Sequence, residues 1–280
     1  MKGNLFIRFP KGKFKALTFS YDDGTAYDIN LCEVFKKNNL KATFNLNGGL
    51  FPKTPGTTLR SRITEEQAKQ LYNSDLFEVA CHGFTHPILD KCDPALALNQ
   101  MVSDRLKLEN MFGYEVHGMA YPNGAYNDEV IEILKTAGIY YSRTVKSQCN
   151  FNLPENWLAW HPTCHHKNPK LNELGDEFLS AQNPKRDPLL FNVWGHSYEF
   201  GDDNNWDVIE NFAEKMSNRD DIWYATNIEI YLYCRSFSRL QYSADGTIVY
   251  NPTSTELWFM DNKGDTYNIK PGETINFSQL

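Results

Sequence analysis

The 280-residue sequence has no apolar run of the roughly 20 residues that a membrane helix requires; its longest lie around Leu189 to Trp194. It also lacks a basic tract. Lys and Arg number 28 against 35 Asp and Glu, a formal net charge of −7, which argues against a nucleic-acid backbone as partner. The first 19 residues carry Lys2, Arg8, Lys11, Lys13 and Lys15 but no apolar core of a secretory signal, so a cytoplasmic chain is expected. No CxxC pair occurs among Cys32, Cys81, Cys92, Cys149, Cys164 and Cys234, and their scatter fits buried free thiols in a reducing compartment. The phosphate-cradling patterns GxxxxGK[ST] and GxGxxG are missing, as are the GxSxG nucleophile turn, any solenoid-period repeat and any low-complexity segment.

What is present suits an ordered globule, since 41% hydrophobic and 22% charged residues can fill and cover a core. Short strand-like runs alternate with helical spacing. Strands are expected at residues 15–20, 41–46, 76–81, 118–121, 139–142, 189–195 and 222–225. Helices are expected between them, with the Thr64 and Gln67 capping box, Asp93 before Pro94 and Asn127 as starts, and Gly113 and Gly138 as stops. About seven β/α units of this kind predict an α/β fold, a distorted (β/α)7 barrel over residues 1–240. Beyond residue 241, short alternating runs separated by turns predict a small antiparallel β appendage over residues 241–280.

Barrel function gathers just past the carboxyl ends of strands. There stand Tyr21, Asp22, Asp23 and Gly24 after the first strand, His82 to His86 after the third, and His196 after the run that begins at Leu189. Adjacent carboxylates at a strand end diverge, so one can hold a metal while the other faces a substrate; the plain alternative is an Asx-turn. His82 and His86, four apart, would lie on one face of a helical turn, a spacing suited to a divalent transition metal. Of only seven histidines, three fall just past strand ends, and two His with one carboxylate form a usual catalytic zinc set.

ThrPheSerTyrAspAspGly at 18–24, HisGlyPheThrHisPro at 82–87, AlaTyrProAsnGly at 120–124 and HisSer at 196–197 resemble four motifs of the polysaccharide deacetylases, carbohydrate esterase family four with the NodB-homology domain. The resemblance covers roughly residues 15–235. It implies that Asp23, His82 and His86 bind the metal, that Asp22 is the general base and His196 the general acid, and that the substrate is an acetylated sugar. The metal would polarise the acyl oxygen and acidify water; the Asn123 backbone amide would help hold the oxyanion, beside Tyr121 and Pro122.

Two family features are out of place. Ala120 stands where the third motif usually has an Arg, and Arg143 is either its replacement from the neighbouring strand or a surface residue. The Asp-containing fourth motif has no counterpart, and residues 156–166 occupy its region. That run either forms an ordinary loop or supplies a partner for His196, a sugar platform, groove-lining His165 and His166, or a second metal site. Trp160, Trp194 and Tyr198 are candidates for stacking on sugar faces, against the alternative that barrel aromatics fill the core.

The sequence therefore predicts a metal-dependent hydrolase that removes acetyl groups from N-acetylated or O-acetylated sugars or oligosaccharides. Zinc is the leading metal, and cobalt, nickel or manganese would also suit Asp with two His. The partner is a carbohydrate substrate, with neither nucleic acid nor membrane, and oligomeric state is left open. Two alternatives stand: a metal-dependent hydrolase of a small non-sugar amide, and a carbohydrate-binding protein with weak turnover.

Overall fold

The computed structural model describes residues 5–184 and 186–279. The barrel begins with β2 (Lys15–Asp22), preceded by a short strand β1 (Phe6–Arg8). It continues through α1 (Asp28–Lys37), β3 (Ala42–Leu46), α2 (Glu65–Tyr72), β4 (Phe77–Cys81), α3 (Pro94–Phe112), β5 (Gly118–Ala120), α4 (Asp128–Thr136) and β6 (Tyr141–Arg143). There follow β7 (Cys164–His165), α5 (Leu171–Ser180), β8 (Leu189–His196), α6 (Ser197–Asp202), α7 (Asp207–Met216), β9 (Ile222–Tyr224) and α8 (Asn227–Phe237). Five short strands close the chain: β10 (Gln241–Tyr242), β11 (Ile248–Tyr250), β12 (Leu257–Met260), β13 (Thr266–Ile269) and β14 (Thr274–Asn276).

The eight barrel strands are parallel, ordered β6-β5-β4-β3-β2-β8-β7, with β9 paired to the start of β2. Every residue of β2, β3 and β4 is buried, as expected of parallel strands covered on both faces. Between β6 and β8 the barrel is closed by a strap rather than a full strand. Trp160 bridges Arg143 in parallel, Thr163 donates its amide to the Asn192 carbonyl at 2.9 Å, and β7 pairs with β8. This is the distortion of the barrel. The two-residue β7 and the short α6 fall where the sequence predicts no strand or helix, because neither is long enough to show a period.

The helix starts arise as the side chains dictate. Thr64 and Gln67 cap each other reciprocally, Asp93 accepts from the Ala95 amide at 2.9 Å, and Asn127 accepts from the Val130 amide at 2.9 Å. Inside, Leu17, Phe19, Phe35, Phe44, Phe191 and Phe212 belong to the main core. All six cysteines are free; Cys32, Cys81 and Cys164 are buried, but Cys149 is exposed, so the expected uniform burial of thiols fails there.

The appendage forms two three-stranded antiparallel sheets, β1-β12-β13 and β10-β11-β14. Residues 6–8, grouped with the barrel in the sequence reading, thus pair with residues 258–260. A second core, including Phe9, Ile230, Tyr233, Leu257, Phe259 and Ile269, fills the seam between barrel and appendage.

Candidate active site

Asp22 ends β2, and its side chain is almost wholly buried. Arg143 ends β6, fully buried, and its Nη2 lies 2.5 Å from both Asp22 oxygens. Asn45 on β3 donates to Asp22 Oδ1 at 2.8 Å, and Ser20 Oγ accepts from Arg143 Nε at 3.3 Å. The Arg143 guanidinium stacks 4.4 Å above the Trp194 ring. Burial pushes the Asp22 carboxyl up, but Arg143, with His82 and His196, outweighs it and holds the group at about 2. Of the two readings open for Arg143, the surface one is therefore excluded.

Asp23, His82 and His86 converge beside this pair, with one ligand atom each lying within 4.8 Å of the others. His82 donates Nδ1–H to the Ala120 carbonyl at 2.8 Å, since a carbonyl can only accept, and this leaves the Nε2 lone pair free. Nε2 of His82 stands 3.9 Å from Asp22 Oδ2, and Nε2 of His86 stands 3.9 Å from Asp23 Oδ1. Burial holds the His82 ring below its ordinary pKa, against the pull of Asp22. One oxygen and two imidazoles, that of His82 with its tautomer preset, fit a divalent transition metal. The helical turn expected for His82 and His86 is not formed. They sit on a turn in which the His86 amide reaches the Gly83 carbonyl at 3.1 Å, with positive φ at Gly83 (75°) and His86 (57°), and it is this reversal that brings the rings together.

Three supports of this triad escaped the sequence reading. Arg62 donates to Asp23 Oδ1 at 2.7 Å and to Asn47 Oδ1 at 2.8 Å, while Asn47 donates to the carbonyls of His82 and Gly83 at 2.6 and 2.7 Å. Asp104, buried on α3, accepts from the amides of Gly48 (2.6 Å) and His82 (3.0 Å). Burial pushes Asp104 up to about 7 against those amide donors.

His196 ends β8, and its Nε2 faces Asp22 Oδ2 at 3.9 Å. Its partner is Glu199, one turn along α6, which takes the His196 Nδ1 at 3.1 Å and its amide at 3.0 Å on Oε2. The partner sought within 156–166 is therefore three residues past His196; a carboxylate one helical turn beyond a strand-end His was the available signal. Burial lowers the His196 pKa, but Glu199 and Asp22 more than offset this and the net shift is upward.

The predicted substrate contacts divide. Asn123 is exposed on the loop after β5, and Tyr198 is half-buried beside His196, with the Arg60 guanidinium 4.4 Å above its ring. Pro122 is buried, and Tyr121 is wholly so, its hydroxyl on the Leu158 carbonyl at 2.6 Å. Trp160 is 1% exposed in the second core, so it offers no platform to a sugar. Trp194 is buried beneath Arg143 and against the edge of His165, so it too is closed to stacking. His165 is one-fifth exposed, and His166, buried between Phe200 and Tyr21, borders a pocket with Lys167, Asn168, Leu171 and Asp203, none of which belongs to the Asp22 site. In each correction the chain's patterning marked an aromatic or polar ring near the site but could not say which way it turned.

Residues 10–142 match the polysaccharide deacetylase family model. A Bacillus subtilis protein named as a candidate polysaccharide deacetylase, YxkH, is 28% identical over 127 residues, which cover 44% of this chain and 42% of that protein. The peptidoglycan-N-acetylglucosamine deacetylase PgdA of Listeria monocytogenes is 29% identical over 126 residues, 44% of this chain and 25% of PgdA. The chain thus matches less than half the length of either relative. A crystal structure from Mycobacterium smegmatis, of a protein also named as a candidate polysaccharide deacetylase, superposes with a TM-score of 0.60 at 17% identity. It covers 85% of this chain and 96% of its own, which shows the distorted barrel as a shared fold. Over residues 10–142, just under half of its length, the chain is similar to the polysaccharide deacetylase family.

Proposed function

We propose that this protein is a metal-dependent hydrolase that removes acetyl groups from N-acetylated or O-acetylated sugars or oligosaccharides. The observation that carries the reading is the convergence at one barrel mouth of a metal-fit triad, a buried Asp held by Arg and a His held by Glu. Asp23, His82 and His86 would hold a divalent ion, with zinc as the leading candidate. Bound there, the ion would supply Lewis acidity toward the acyl oxygen and the attacking water.

The chain's own residues supply the proton chemistry. Asp22, kept ionised by Arg143, accepts the proton of the attacking water; as a weak base it suits a water already acidified. His196, raised in pKa and oriented through Nδ1 by Glu199, keeps Nε2–H for the departing nitrogen or oxygen of the sugar. Acetate is the other product. The Asn123 loop offers a backbone amide toward the developing oxyanion, and Tyr198 an aromatic face for a sugar ring. Arg143 supplies the cation absent from position 120, so the chief argument for a protein without turnover loses its support.

The test is acetate release from a panel of N-acetylated chito-oligosaccharides and O-acetylated sugars, with Asp22→Asn and chelator-stripped protein as controls. Release that disappears in both controls is the expected outcome. A protein carrying one equivalent of metal that releases no acetate from any of them would overturn the reading.

A further inference from the structure

We propose that His165, His166 and Glu199 form a second and weaker divalent-cation site, filled by an ion such as Zn2+ only in excess, which on filling draws Glu199 away from His196. The last part rests on the role proposed above for His196; the site itself does not.

The three residues bring one ligand atom each within 4.8 Å of the others. Nε2 of His165 lies 3.1 Å from Glu199 Oε2, and Nε2 of His166 lies 3.5 Å from the same oxygen. A tetrahedral ion with bonds of about 2.0 to 2.2 Å needs ligand atoms roughly 3.3 to 3.6 Å apart, so the His166 contact lies inside that range and the His165 contact just short of it. The independent observation is His166. It is 2% exposed, and neither of its ring nitrogens has a hydrogen-bond partner. Buried polar groups are ordinarily satisfied, and an imidazole held 3.5 Å from a carboxylate oxygen without bonding to it points to a missing ligand. Its ring is fixed by stacking on Phe200, with centroids 4.1 Å apart, and by the bare Cα of Gly195, where any Cβ would collide with His166 Nδ1.

Two features make this site weaker than the Asp23, His82 and His86 triad. His82 has its tautomer preset for ligation, whereas the Lys167 amide donates to His165 Nδ1 at 3.0 Å and so places the His165 proton on Nε2, the ligating atom. Ligation requires that proton to move and the amide contact to break. Glu199 Oε2 also accepts from the amide and Nδ1 of His196, and these contacts compete with the ion. Filling would therefore release His196 from its orienting carboxylate, and excess metal would inhibit.

The experiment is a Zn2+ titration of the chelator-stripped full chain by calorimetry, with metal analysis and acetate release at one and at excess equivalents. The expected result is two classes of site, with release falling at least tenfold between one equivalent and excess. His165→Ala, at a partly exposed position that need not disturb the core, should abolish the second class and the inhibition together; His82→Ala should abolish the first class and keep the second. A single class in the wild type, or a second class that persists in His165→Ala, would overturn the site. Acetate release with a single binding class refutes only this inference, whereas two classes without acetate release refute only the proposed reaction and the inhibition that depends on it.

Discussion

Asp22 and His196 face each other across 3.9 Å with opposite preparation: one held acidic by Arg143, the other held basic by Glu199. The signs give a pH profile. A base whose pKa lies near 2 stays ionised throughout the working range, so it sets no limb near neutrality. If His196 is the acid of the proposed reaction it must keep its proton, so activity should fall as pH rises through the His196 pKa, which lies above the ordinary 6.5. Glu199→Gln removes the charge that raises it, and the alkaline limb should move down; Arg143→Ala should instead lift Asp22 by about 1 to 3 pH units and bring an acid limb upward. Measured rate profiles check both, and an unmoved alkaline limb in Glu199→Gln would remove Glu199 from the site. At this scale the sequence was most informative where a residue ends a strand. Asp22, Asp23, His82, His86 and His196 all stand at or just past strand ends, and all converge. It was least informative for Arg62, Asn47 and Asp104, whose contribution depends on distant loops and helices meeting the His82 turn.

At the scale of elements, α3 does more than cover the sheet. Its Asp104 reaches inward to the amides of Gly48 and His82, joining the ends of β3 and β4. Asp104→Asn turns an amide NH2 toward one of those N–H groups and should cost about 1 to 3 kcal/mol, read as a lowered urea midpoint, together with weaker metal binding at His82. A variant with unchanged midpoint and metal affinity would show that α3 merely packs. The alternation of strands and helices was legible because buried parallel strands and capped helices each leave a local pattern, as in the Thr64 box of α2. The strap at 160–165 was not, since its two-residue strand has no period and its Trp160 reads equally as platform or core. The same holds for α6, whose six residues carry Glu199 to His196.

For the whole molecule, the seam between barrel and appendage joins the two into one cooperative body. Phe9, Ile230, Tyr233 and Leu240 on one side meet Val249, Leu257, Phe259 and Ile269 on the other in a single buried cluster. Burying each large apolar side chain is worth about 1.5 to 3 kcal/mol, and a domain's net stability is only about 5 to 15 kcal/mol. Removal of residues 241–280 should therefore yield protein that aggregates or melts well below the full chain, as size-exclusion chromatography and a thermal scan would reveal. A monomeric truncated barrel with unchanged melting temperature would contradict this. Arg8 fastens the same seam, fully buried and donating to the Arg186 carbonyl at 2.7 Å.

The pairing of β1 with β12 has a consequence in time. Phe6–Arg8 leaves the ribosome about 250 residues before its partner strand, which at 5 to 20 residues per second is a wait of roughly 10 to 50 seconds. Throughout that interval Ile7 and Phe9 have no completed seam to enter. The nascent barrel can form around its own core while this edge stays open, so the pairing of β1 closes only once residues 257–260 have been made.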